Sequence, residues 1–146
     1  MGRLRHADRV DPDVMTDLVV ESVSREGFAT TSRAGDFRLT VDATDETGPN
    51  PNAVLLADYA SCYVPALRVS ARHHGHDDLG RLEIDVAADL DERDDLAAIR
   101  FSLRMEADLD EEELASVVAY AKEICHVNAA LREGLRADVT ARADAF

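Results

Sequence analysis

The sequence predicts an α+β fold, a mostly antiparallel sheet packed on two helices. Two observations carry this. Several short stretches alternate apolar and polar residues with a period of two, as half-buried strands do, and two longer stretches place apolar residues three or four apart, as amphipathic helices do. These stretches come in the order strands, helix, hairpin, helix, short helix, strand, which is the succession of an α+β domain. A length of 146 residues suits one domain with a real core, so residues 1–146 are read as a single domain, with residues 1–14 as an irregular N-terminal arm.

From the N-terminus, MTDLVVESVS and FATTSRAGDFRLTVDAT are rich in β-branched residues. Phe37, Leu39 and Val41 point one way and Arg38, Thr40 and Asp42 the other, giving two or three strands with turns at Arg25-Glu26-Gly27 and Ala34-Gly35-Asp36. TDETGPNPN breaks this pattern, and Asn50 followed by Pro51 makes a helix start, the asparagine as N-cap and the proline in the first turn. Leu55, Tyr59, Cys62, Ala66 and Val69 then recur at helical spacing, with Pro65 inside the pattern. RLEIDVAADL and AIRFSLRMEADL alternate cleanly around the polar DLDERDD, an antiparallel hairpin with one buried face. Asp110 to Glu113 is a variant capping box, and Leu114, Val117, Val118, Ala121 and Cys125 line the face of the helix it starts. HVNAALREG predicts a short helix ended by Gly134, and LRADVTARAD a last strand.

Composition excludes several functions. The formal net charge is -14, from 30 acidic and 16 basic residues, and Lys122 is the only lysine. Such a surface repels phosphate backbones and anionic lipids, so neither nucleic acid nor a membrane is an expected partner. An acidic, lysine-poor surface also suits a salt-loaded cytoplasm, as in a halophile, although a GC-rich genome equally favours arginine over lysine. There is no apolar run of bilayer length, and MGRLRHADRVDPD lacks the apolar segment of a signal peptide, so the expected location is the cytoplasm.

In a reducing compartment the two cysteines, Cys62 and Cys125, are not expected to form a permanent disulfide. Periodicity places both on apolar helix faces and leaves two readings open, a redox pair or two small core residues. RHHGHDD, with His73, His74 and His76 beside Asp77 and Asp78, draws all its potential ligands from one short connection, so no dedicated metal site is expected there. The cysteines with His126 leave a zinc ion one ligand short.

Two segments narrow the choice. GPNPNAVLLADYASCYVPAL resembles the first cysteine segment of the OsmC/Ohr family, the osmotically inducible and organic-hydroperoxide-resistance proteins, where a G-x-x-P-E turn leads into an apolar helix ending in A-x-C. AKEICHVNAALREGLRADVTAR resembles the family's second cysteine segment and final strand. The resemblance implies an OsmC-like fold, an intertwined homodimer, and thiol-dependent reduction of organic hydroperoxides, with Cys62 as the attacking and Cys125 as the resolving cysteine. It implies no cofactor, only an external dithiol reductant such as a lipoyl group or a small thiol. Arg25, in S-R-E-G, matches the family's activating arginine in G-R-D-G; a guanidinium stays charged and holds several donors toward a thiolate, whereas composition alone reads it as an exposed turn residue.

The chain departs from the family at two points. Asn52 stands where the peroxidase branches place a glutamate that pins the arginine, with Asp58, one turn before Cys62, as a substitute acceptor. His126 stands where a proline usually follows the second cysteine; it either exchanges protons with the Cys125 sulfur or faces solvent. The alternative function is therefore an OsmC-like protein that binds a small molecule or senses oxidants without peroxidase turnover.

Overall fold

A computed structural model describes residues 16–146, and the expected arm, residues 1–14, lies outside them. The chain divides into two compact units, one ending at Pro51 and one running from Asn52 to Phe146.

The first unit is an antiparallel sheet of β1 (Val20–Val23), β2 (Ala29–Ala34) and β3 (Phe37–Asp42), in that order. The turns fall where the sequence predicts them. Gly35, at φ 59°, supplies the left-handed conformation that a two-residue connection between paired Ala34 and Phe37 requires. The register sets Phe37, Leu39 and Val41 opposite Ala34, Ser32 and Thr30, on the face that also carries Val20. That apolar face is open: Phe37 is 81% and Leu39 47% exposed.

Asp42 is the one buried residue among the described residues of this unit. Its carboxylate accepts hydrogen bonds from the hydroxyls of Thr44 (2.7 Å) and Thr47 (2.8 Å) and from their N–H groups (2.9 and 3.1 Å). These bonds, the Thr44 hydroxyl first, hold it well below the usual carboxylate range. They end β3 by folding the chain into the turn that precedes the first helix.

The second unit holds α1 (Pro51–His73), β4 (Leu82–Leu90), β5 (Leu96–Met105), α2 (Glu111–Ile124), α3 (His126–Ala130) and β6 (Asp138–Arg142). Helix α1 starts at Pro51 and runs 23 residues through Pro65. Strands β4 and β5 pair antiparallel, and Ile99, Phe101, Leu103 and Met105 are all buried on one face of β5, as the alternation predicts. Strand β6 pairs with β5 in parallel. The chain between them passes through two helices, a connection long enough to bring it back in the same direction.

The capping box at Asp110 and Glu113 is formed in both halves. The short helix expected up to Gly134 stops earlier, at Ala130, and a single 3-10 turn, Glu133–Leu135, carries the chain to β6. The core lies between the helices and the inner face of this sheet. Phe101 sits at its centre, its ring 4.6 Å from that of Tyr59 and 5.5 Å from that of Tyr63. Among the described residues no helix is long and apolar enough to cross a membrane.

Candidate functional site

Both cysteines belong to the second unit, and each owes its place to the apolar phase of its helix. Tyr59, Tyr63, Ala66 and Leu67 form the buried stripe of α1, and Cys62 packs at the margin of this stripe, half-buried. On α2 the buried positions are Val117 and Ala121, and one turn further the stripe arrives at Cys125, only 1% exposed. Cys125 is not itself helical. Its backbone is extended (φ −70°, ψ 115°), and it serves both as C-cap of α2 and as first flanking residue of α3.

The two cysteines are free thiols, close enough for Cys62 to act on the Cys125 sulfur. Burial pushes the Cys125 thiol up, and the hydrogen bond and charge of Cys62 push the same way. The N–H groups of Asn128 and Val127 favour its thiolate, although neither closes to a capping hydrogen bond. Cys125 is therefore a protonated thiol at neutral pH, shielded from solvent, beside a sulfur that solvent can reach. A pair of this kind can exchange two electrons: oxidation of the accessible sulfur leaves the buried one in place to displace oxygen and close a disulfide.

A buried polar network surrounds the pair. The Tyr59 hydroxyl donates to Asn128 Oδ1 and accepts from the Ala137 N–H (3.0 Å). Asn128 Nδ2 donates to the Lys122 carbonyl (3.0 Å), and Lys122 Nζ donates to the Ala137 carbonyl (2.9 Å). The Tyr63 hydroxyl, beside Cys62 in the chain, donates to the Val118 carbonyl (3.2 Å). Burial raises both tyrosines above their ordinary range, so they act as neutral donors.

The remaining expected site residues are spread wider. Arg25 lies in the first unit, exposed in the turn between β1 and β2. It lines a groove of about 600 Å³ with Arg33, Arg38, Glu21 and Val23. Asn52 extends its side-chain amide to the carbonyl of Asp94 in the β4–β5 turn (3.3 Å). Asp58 and His126 are exposed. At the end of α1, His73 stacks on Tyr120 (4.5 Å) and His74 bonds the Ser70 carbonyl through Nδ1 (2.8 Å). Among the described residues no three His, Cys, Asp or Glu side chains are grouped to hold a metal ion.

Sequence reasoning placed Tyr59 on the apolar stripe and passed over Asn128. The signal available was a pair of offsets: a tyrosine three residues before one cysteine and an asparagine three residues after the other.

Comparison with known proteins gives a consistent result. The family model described as OsmC-like protein matches residues 43–140. An uncharacterized protein of Haloferax volcanii is 54% identical over 132 residues, 90% of this chain and 100% of that protein, and the halophile habitat suggested by the acidic composition fits this relative. The crystal structure of an OsmC-like protein from Mycoplasma pneumoniae superposes with a TM-score of 0.78 at 18% identity, covering 88% of this chain and 98% of that one. The organic hydroperoxide resistance protein OhrB of Bacillus subtilis superposes with a TM-score of 0.67 at 23% identity, covering 87% and 98%.

Proposed function

From the premise that the chain belongs to the OsmC-like family, we propose that it is a cytoplasmic thiol-dependent peroxidase that reduces organic hydroperoxides through Cys62 and Cys125. The observation that carries this reading is the nearness of its only two cysteines, one reachable from solvent and one buried. The family match runs across the unit boundary at Pro51, which supports treating the chain as one working domain.

In the first step the Cys62 thiolate attacks the distal peroxide oxygen. The O–O bond breaks, the sulfur becomes a sulfenic acid, and the leaving alkoxide takes a proton and departs as an alcohol. The Arg25 guanidinium holds the thiolate and the peroxide, a use suited to a permanent charge with several donors. In the second step the Cys125 sulfur displaces the oxygen of the sulfenic acid, giving the Cys62–Cys125 disulfide and water. An external dithiol then reduces the disulfide and is itself oxidised. No metal or organic cofactor enters the cycle. The apolar side chains packed around both cysteines favour an organic hydroperoxide over hydrogen peroxide. The open apolar face of the β1–β3 sheet supports an intertwined homodimer as the working state.

Asn52 favours a second reading. A neutral amide engaged with the Asp94 carbonyl does not supply the carboxylate that would hold an arginine, and without it the fold serves as a small-molecule binder or an oxidant sensor. Steady-state reduction of cumene hydroperoxide with dihydrolipoamide or dithiothreitol separates the two. The peroxidase reading expects turnover that vanishes in Cys62→Ser. Rapid thiol oxidation without turnover under any dithiol indicates the sensor, and unreactive thiols indicate the binder.

A further inference from the structure

We infer that the buried hydrogen bond between Tyr59 and Asn128 is a positioning device that holds Cys125 against Cys62 for disulfide closure. The inference rests on the reading of the two cysteines as a redox pair. Tyr59 precedes Cys62 by three residues, so the two side chains lie on adjacent turns of α1. Asn128 follows Cys125 by three residues, on the far side of the break between α2 and α3. The hydroxyl-to-amide bond therefore closes a ring of contacts: along α1 from Cys62 to Tyr59, across to Asn128, back along the chain to Cys125, and from sulfur to sulfur.

The backbone of Cys125 is hydrogen-bonded on both sides, its N–H donating to the Ala121 carbonyl (3.0 Å) and its carbonyl accepting from the Ala129 N–H (3.0 Å), so what is left to be held is the direction of its side chain. The residue is extended between two helices, and α3 is only five residues long, too short to be stable alone. Asn128 anchors this segment with every polar group it has. Its Oδ1 accepts from Tyr59, its Nδ2 donates to the Lys122 carbonyl in the last turns of α2 (3.0 Å), and its own carbonyl accepts from Arg136 Nε (3.1 Å). Its N–H faces the Cys125 sulfur.

A leucine would fill the same buried volume, but a buried amide is satisfied in one arrangement only, and that arrangement fixes the direction of the Cys125 side chain. Disulfide geometry is narrow, so direction decides how readily the bond closes.

The test uses Tyr59→Phe, which removes the hydroxyl and keeps the ring against Phe101, with Tyr63→Phe as its matched control. Tyr63 is equally buried on the same helix and packs on the same Phe101, and its hydroxyl also lies near Cys125, but it bonds the Val118 carbonyl on α2 and not Asn128. Equilibration of the reduced chains in glutathione buffers gives the effective molarity of the cysteine pair with no peroxide present. Tyr59→Phe is expected to lower it by about tenfold or more, and Tyr63→Phe to leave it within about twofold, although both lower the melting temperature.

Asn128→Ala should match Tyr59→Phe and add little to it in the double variant, and it carries the test if Tyr59→Phe does not fold. An unchanged effective molarity in both variants, with lowered melting temperature, makes the network structural only and overturns the inference while the redox pair stands. A wild-type chain that forms no internal disulfide at any glutathione ratio overturns both.

Discussion

The two units of the chain treat apolar residues in opposite ways. The second unit encloses its own: Phe101, Leu67, Met105 and Val117 are all 1% exposed or less. Among its described residues the first unit encloses none: Phe37 and Leu39 stand open on a three-stranded sheet, and Phe28 in the turn before β2. A sheet of this size is independently stable only with a packed apolar face, so the comparison teaches which part of the molecule folds on its own resources and which part waits for a cover. The cysteines lie in the self-sufficient unit, and the arginine expected to activate them lies in the other. A second copy of the chain is the proposed cover.

The strongest way to break the comparison is to make the open face polar. Phe37→Asp combined with Leu39→Asp should abolish the dimer, with light scattering reporting a monomer or an aggregate and peroxidase turnover falling to background. An unchanged dimer mass would remove the sheet from the interface. Phe101→Ala should cost about 3–5 kcal/mol of unfolding free energy in the second unit, at every protein concentration. Phe37→Ala sharpens the contrast, because its effect on denaturant midpoint should appear only where the protein is concentrated enough to dimerise.

Arg25→Ala should lower kcat/KM about a hundredfold through lost thiolate and peroxide stabilisation, while the second unit's unfolding midpoint stays put. A loss of stability in place of activity would return Arg25 to an ordinary turn residue. The smallest expected effect is local to the first unit. Because the folded Asp42 is depressed by its four hydrogen bonds, its contribution is fully present above the ordinary carboxylate value of about 4 and is lost only as pH falls below it. The stability difference between wild type and Asp42→Asn should be flat from neutral to about pH 5 and shrink in more acid solution.

Most of the fold was legible because its signals are local. The alternation in β4 and β5, the Asn50-Pro51 start, the capping box and the glycine turns each act within a few residues, and each appears where expected. The parallel pairing of β6 with β5 was not legible, since it depends on how two intervening helices pack. The early end of α3 was missed because Gly134 drew the boundary, whereas the chain turns extended at Leu131.

At the site, helical phase placed both cysteines on apolar faces, but periodicity has no access to the distance between two helices, and only the resemblance to a family joined them. The Tyr59–Asn128 bond spans 69 residues and has no periodic signature. Asn52 and His126, marked as departures, resolve differently: Asn52 reaches the β4–β5 turn, and His126 is exposed.

The central claim, that Cys62 and Cys125 form a peroxide-driven redox pair, is tested most directly by adding one equivalent of cumene hydroperoxide to the reduced chain and following thiols and intact mass together. The account predicts rapid loss of both thiols with no oxygen gained, and, in Cys125→Ser, loss of the Cys62 thiol with oxygen retained as a sulfenic acid. Persistence of both thiols in the wild-type chain would contradict it.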